Sequence, residues 1–367
     1  MAARKKKKAP TTKAGAKKAK KAVKKTIAKK ASVARARTVK APAVKAPAIK
    51  KAAKKLGRID LHHHFLPQAY MVEEKARSSA THGNTDLLSW TPEKSIAEMD
   101  KAGVAFAFAS TSTPGVWYGD VELGRRLARQ WTDAAVEAIH KYPTRFGLFA
   151  PLPLPDTDGS LAQIRYALDE VKADGLGMLA NYEGKWLGDP SFATVMAELN
   201  RRDAIVYVHP TFTPCVTNTI PGANMQLVEF PFETTRTIAN LILSGTTTKF
   251  PNIRWVFAHN GGATPMLIGR LEEQDHRSMG KNFPAGMRAE LRKFYYDNAS
   301  AWNSSAMAAL MNLVPKDHML FGSDYPFLSA TEAVHKFNKL KLDPATRTAI
   351  ERNNAFKLFP RLKTLKI

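Results

Sequence analysis

The chain has 367 residues, a formal net charge of +24, a pI near 10.0 and one cysteine. Residues 1–56 hold 19 Lys, 3 Arg and no Asp or Glu, which leaves +2 for residues 57–367, so tail and body must be read separately. A lone Cys215, read as inert packing, excludes an internal disulfide framework or a Cys-based zinc site; no run reaches the ~20 apolar residues of a membrane span; and the basic start lacks the apolar stretch of a secretory signal, so a cytoplasmic, non-membrane protein is expected.

The tail is almost entirely Lys, Ala, Pro, Thr and Val, without an aromatic residue and without a leucine before Leu56. Such a stretch buries too little apolar surface to offset the entropy lost on ordering, so a disordered basic N-terminal tail is expected over 1–56. Alanine favours helix, and Ala41-Pro42 and Ala46-Pro47 oppose it. The pattern resembles the Lys/Ala/Pro tails of linker-histone-like bacterial proteins. It suggests salt-sensitive, sequence-independent contact with nucleic acid or another polyanion, without the aromatics needed to stack on single strands. The plainer account is a solubilising extension, or a translation start nearer the body.

The 311-residue body alternates β-rich runs with amphipathic stretches. In chain order, strands are predicted at 58–64, 104–111, 145–154, 177–182, 204–211, 253–262, 294–300 and 319–326. Most are apolar along their length, as parallel strands buried on both faces are. Helices are predicted between them, at 92–101, 120–141, 191–202 and 233–244. Leu161, Ile164, Leu168 and Val171 mark the apolar face of another. Eight β-then-α units predict an α/β fold, a (β/α)8 TIM barrel over 57–367. A doubly wound sheet is the alternative, weakened by the lack of any GxGxxG or GxxxxGK[ST] turn.

Histidines on three of these strands and an aspartate on a fourth fall at the C-terminal ends, where barrels carry their active sites. Side chains alternate along a strand, so His62 and His64 share a face and His63 points away. His209 ends the fifth strand, His259 the sixth, and Asp324 the eighth. Singly each has a structural explanation, a packed histidine or a turn aspartate. Together, neutral imidazoles and one carboxylate suit Zn2+ or a similar divalent ion with a position left open.

The order HxH, His, His, Asp resembles that of the amidohydrolase superfamily. Ile59-Asp60-Leu61-His62-His63-His64-Phe65-Leu66-Pro67, Val208-His209-Pro210, Phe257-Ala258-His259-Asn260-Gly261-Gly262 and Phe321-Gly322-Ser323-Asp324-Tyr325-Pro326 are similar to motifs of its aminocarboxymuconate-semialdehyde decarboxylase branch. The first is also similar to 6-methylsalicylate decarboxylase-like members. The closing Asn353-Asn354-Ala355-Phe356-Lys357-Leu358-Phe359 resembles that branch's C-terminal helix, so the resemblance spans 57–367 and excludes the tail. It implies one metal ion, Zn2+ or alternatively Mn2+, on His62, His64, His209 and Asp324, with His259 beside it. The fourth strand offers no lysine to carboxylate as a bridge, which favours a mononuclear centre. Arg270 matches a family arginine that binds a substrate carboxylate, in some members across a homodimer interface; a helix-surface arginine is the other reading. Trp117 and Phe212 are candidate pocket walls or plain aromatic packing.

The implied reaction is nonoxidative decarboxylation of a small aromatic or conjugated carboxylic acid. Protonation of the carbon bearing the carboxylate precedes CO2 loss, with His259 and Asp324 as the candidate proton donors. Two other functions stay open: metal-assisted hydrolysis of an amide, lactone or ester on the same residues, and a nucleic-acid-associated protein whose barrel is a passenger.

Overall fold

The structure, a computed structural model, describes residues 57–77, 87, 89–212, 220 and 224–365. The basic tail and Cys215 lie outside the described residues. Eight strands run β1 Arg58–His64, β2 Val104–Ser110, β3 Phe146–Pro151, β4 Gly175–Leu179, β5 Ile205–His209, β6 Arg254–Phe257, β7 Tyr295–Asp297 and β8 Met319–Leu320. They pair in that order and every pairing is parallel. The segment after β8 closes the ring onto β1: Leu61 N donates to Phe321 O at 2.9 Å, Asp324 N to His62 O at 2.9 Å and His64 N to Tyr325 O at 2.7 Å. The (β/α)8 expectation is borne out.

Parallel strands must be buried on both faces because crossover helices cover the outside. Inside the barrel, Ile59, Leu61, Phe106, Phe108, Phe149, Ile205, Tyr207, Val256 and Leu320 form one buried cluster. Alternate residues such as Ala107, Ala109, Leu148, Val206 and Phe257 belong to the larger cluster under the helices. The C-terminal residues Ala355, Leu358, Phe359 and Leu362 join the inner cluster, with the Phe359 ring 4.3 Å from that of Phe108. Arg58, at the start of β1, pairs with Glu351 at 2.7 Å. The chain end therefore stoppers the N-terminal mouth of the barrel and leaves the C-terminal mouth for chemistry.

Local chemistry explains most helix bounds. Helix α1, Pro92–Ala102, starts with Thr91 capping Lys94 N and proline in the first turn, and ends at Gly103 with φ 72°. Asp120 caps α2, Val121–Lys141, through Leu123 N. The predicted 233–244 helix is the C-terminal part of a longer α3, Met225–Leu243, which carries Pro231 inside it. The strand expected at 177–182 is split: β4 ends at Leu179, and Asn181–Tyr182 pairs antiparallel with Lys185–Trp186. Residues 259–261, expected to extend the sixth strand, form a tight turn instead. No helix among the described residues is long and apolar enough to cross a membrane.

Candidate metal centre

The histidine run is built on an irregular strand. Opposite β2, Asp60 pairs with Ala107 and His63 with Ala109, so β1 carries one residue too many between them. This bulge switches the alternation. Asp60 and His63 both lie outside the barrel wall: His63 Nδ1 meets Asp60 Oδ2 at 3.2 Å and its Nε2 meets Ser95 Oγ on α1 at 3.0 Å. Ile59 and Leu61 point inward below the bulge, and His62 and His64 point inward above it. Strand alternation separates His63 from its neighbours, as expected; the bulge decides which face is the interior.

His62, His64 and His209 each have Nδ1 engaged. His62 Nδ1 lies 3.2 and 3.1 Å from the two oxygens of Asp297, at the end of β7. His209 Nδ1 lies 2.7 Å from Pro210 O. His64 Nδ1 lies 3.3 Å from Ser110 Oγ, whose hydroxyl donates to His63 O at 3.3 Å. A carboxylate or a carbonyl only accepts, and the serine hydroxyl is already committed as a donor, so each Nδ1 carries the proton. The three Nε2 atoms are left with lone pairs directed into the barrel mouth. Those of His62 and His64 are 3.0 Å apart, and Asp324 Oδ1 stands 3.3 and 3.4 Å from them. Two facing lone pairs repel unless a cation lies between them. Donors ~2.0–2.2 Å from one ion are separated by about 2.8–3.6 Å between right-angled and tetrahedral arrangements, so this donor set fits a divalent metal.

The electrostatics favour a cation at this point, whether a metal ion or a second proton on His62. Burial disfavours charge on His62, yet the Asp297 and Asp324 carboxylates outweigh it and push its pKa up to about 10. Burial holds His64 down at about 4 and His209 well below the ordinary imidazole range. Burial also opposes ionisation of Asp324, but His62 and His259 hold it far below the usual carboxylate range. The site stabilises one positive charge at its centre.

His259 follows β6, with Nε2 3.5 Å from Asp324 Oδ2. Its buried Nδ1 has no hydrogen-bond partner among the described residues. One donor atom each from His62, His209, His259 and Asp324 lies within 4.8 Å of the others, so His64 and His259 are rival fourth members of one cluster. Ser300 Oγ donates to Asp324 Oδ2 at 3.0 Å. His259, Asn260, Ser300 and Asp324 all have φ between 55° and 64°, a left-handed conformation costing ~1–2 kcal/mol per residue and found where function holds it in place. Gly262 completes the turn with φ 65° and ψ −129°, which only glycine adopts readily; a Cβ there would lie 2.0 Å from Pro231 O.

Above the cluster opens a cavity of about 470 Å3, within the range of small-ligand sites. Leu227, Phe230, Pro231, Phe327 and Leu328 give it apolar walls, Ser112, Ser300 and Asn303 polar ones, and His209, His259 and Asp324 its floor. The structure thus gathers His62, His64, His209, His259 and Asp324. The three candidate substrate-binding residues stand elsewhere. Arg270 is exposed in the last turn of α4, Thr264–Glu272. Trp117 donates from its indole to Glu183 at 2.9 Å and covers Gly124 on α2. Phe212 stands 5.8 Å behind Phe230. None of the three is among the cavity's walls. Sequence reasoning missed Asp297, whose only signal was an acid at a strand's C-terminal end. It also missed Phe230 and Phe327, for which no local signal exists.

A family model described as amidohydrolase matches residues 59–361. The chain belongs to the amidohydrolase family. Within it, the decarboxylase yanB of Aspergillus niger is 32% identical over 328 residues, 84% of this chain and 89% of that protein. The 6-methylsalicylic acid decarboxylase acuB of Aspergillus aculeatus is 32% identical over 324 residues, 83% and 97% of the two chains. The branch expected from the motifs is therefore borne out. Among solved structures, an amidohydrolase II crystal structure superposes with a TM-score of 0.76 at 27% identity, covering 82% of this chain and 99% of that one. A dihydroxybenzoic acid decarboxylase from Polaromonas, solved with manganese and 2-nitroresorcinol, shares the fold at a TM-score of 0.70 and 20% identity over 83% and 97% of the chains.

Proposed function

We propose that this amidohydrolase-family chain is a metal-dependent carboxy-lyase that removes CO2 nonoxidatively from a small aromatic carboxylic acid. The observation that carries this is the convergence of three Nε2 lone pairs and Asp324 Oδ1 on the floor of an apolar-walled cavity. The decarboxylase relatives point the same way.

His62, His64, His209 and Asp324 would hold one divalent ion. His64 is assigned over His259 because its Nε2 packs against both His62 and Asp324. Nitrogen-rich donors favour Zn2+, and the manganese of the dihydroxybenzoate enzyme makes Mn2+ the competing assignment. When bound, the metal acts as a Lewis acid toward a carboxylate and an ortho oxygen.

Phe230 and Phe327 flank the ring and exclude water. The His259–Asp324 pair, with Nε2 3.5 Å from Oδ2, would hold the proton for transfer at the cavity floor. In the reaction that proton is delivered to the ring carbon bearing the carboxylate; the carbon–carbon bond then breaks, its electron pair restores aromaticity and CO2 leaves. Arg270, outside the cavity walls, would reach a substrate only from the partner of a homodimer.

The test is metal analysis together with CO2 release from 6-methylsalicylate, 2,6-dihydroxybenzoate and 5-carboxyvanillate. The expected outcome is one metal per chain, lost on His62→Ala and Asp324→Ala together with CO2 release. Full metal content in both variants overturns the ligand assignment. Lactone or amide hydrolysis with no CO2 from any acid overturns the reaction in favour of a hydrolase.

A further inference from the structure

A second, much smaller chamber lies behind the wall of the main cavity. It has a volume of about 10 Å3, and its lining includes Tyr70, Met71 and Glu74 from the helix Gln68–Arg77. Ser112 and Phe327 belong to the walls of both spaces. The Phe327 ring also packs 5.2 Å from that of His64, so the chamber lies on the β1–β2 side of the metal cluster.

Glu74 has no structural explanation where it stands. Its side chain is 98% covered (2% exposed), yet Oε1 has no hydrogen-bond partner among the described residues. Its neighbours Glu73 and Arg77 pair with each other at 3.0 Å. The buried Tyr118 hydroxyl feels the Glu74 charge and lies beside the Tyr70 hydroxyl. Tyr70 donates to Gly115 O at 2.9 Å. Burial alone pushes Glu74 up to about 7. An unpartnered buried carboxyl costs ~1–3 kcal/mol and calls for an explanation. A space of ~10–15 Å3 accepts one water-sized group.

We infer that this chamber is a substrate subsite, in which Glu74 accepts a hydrogen bond from a hydroxyl substituent on the ring of the aromatic acid. The inference rests on the aromatic-acid reading above and narrows it. Ser112 and Phe327 form the gate between the two spaces, and a phenolic hydroxyl has the size of the chamber. An acid with a methyl group at that ring position would leave Glu74 unpaired and bind more weakly, because a site built for a hydroxyl discriminates against its apolar analogue.

The test measures binding, by calorimetry on the metal-loaded full chain, of 2,3-, 2,4-, 2,5- and 2,6-dihydroxybenzoate, each against the hydroxybenzoate with methyl in place of the second hydroxyl. In the wild type one ring position should favour hydroxyl over methyl by at least tenfold. Glu74→Leu should reduce that ratio at least tenfold at that position alone, and Glu74→Gln, which keeps an acceptor oxygen, should retain part of it. Metal content and Tm of both variants report whether the fold is intact. A ratio within twofold of wild type in Glu74→Leu, or an equal fall at every ring position, overturns the subsite. Acids that bind without releasing CO2 sink only the reaction, and the ratio still decides the subsite. If no acid binds, both fall.

Discussion

Asp297 holds more of the centre together than any other single side chain. It accepts from His62 Nδ1, from the Tyr207 hydroxyl at 3.1 Å, and from the backbone nitrogens of His259 and Ala299 at 3.3 and 2.9 Å. It thereby fixes the His62 tautomer and ties the ends of β1, β5, β6 and β7 to one carboxylate. Groups that orient a ligating histidine in this way typically contribute 10–100-fold in metal affinity. Asp297→Asn is therefore expected to weaken metal binding about 10-fold or more, read by competition against a chelator. Unchanged affinity would show that His62 is oriented by packing alone. Asp60 does comparable work outside the barrel wall, accepting from Ser323 N and His62 N at 2.9 and 3.1 Å and from the Ser323 hydroxyl at 2.5 Å. It anchors the residue preceding Asp324.

Among the elements, the turn after β6 is the most constrained. His259 and Asn260 in left-handed conformation lead into Gly261 and Gly262, also at positive φ, and the turn then feeds α4. Gly262→Ala puts a methyl group 2.0 Å from Pro231 O in a conformation alanine avoids. The expected cost is about 2 kcal/mol or more, a fall of roughly 5 °C in Tm, measured by thermal unfolding of the full chain. A change under about 1 °C would mean that the turn relaxes freely. The predicted run 253–262 includes this Gly-Gly pair because its apolar residues carry the strand signal, whereas termination at Phe257 comes from backbone conformation. The split of 177–182 has a similar origin: the Tyr182 hydroxyl oxygen accepts from Leu179 N at 2.9 Å, and the Asn181 amide donates to Glu233 on α3. Pro231 hid the first half of α3, since proline normally ends a helix and here lies inside one. By contrast, α1 and α2 announced themselves through their caps.

For the whole molecule, charge divides the chain into a basic tail and a nearly neutral body. Residues 1–56 carry 22 of the 24 formal charges. We propose that they make salt-sensitive, sequence-independent contact with nucleic acid or another polyanion, for which duplex DNA is the probe. Deleting them should leave metal content and catalysis in place and abolish retention on duplex DNA. In the full chain, retention should fall by ~10³–10⁵ between 50 and 200 mM salt if six to ten phosphates are neutralised. Salt-independent retention, or retention by the deleted chain, would count against the tail as the binding element.

The sequence alone determined a covered parallel sheet of eight strands, through its eight apolar runs, and ring closure of β8 onto β1 decided the barrel over a doubly wound sheet. It also determined the identity of the histidines and aspartate at the barrel mouth, because strand ends are local features. Tertiary structure decided the rest. The bulge in β1 set which face of the histidine run is the interior. Asp297 was brought 235 residues along the chain to His62. Phe230 and Phe327 were made cavity walls, while Trp117, Phe212 and Arg270 were left outside them. Those outcomes depend on closing the ring, and ring closure joins residues whose separation in sequence carries no periodic signal.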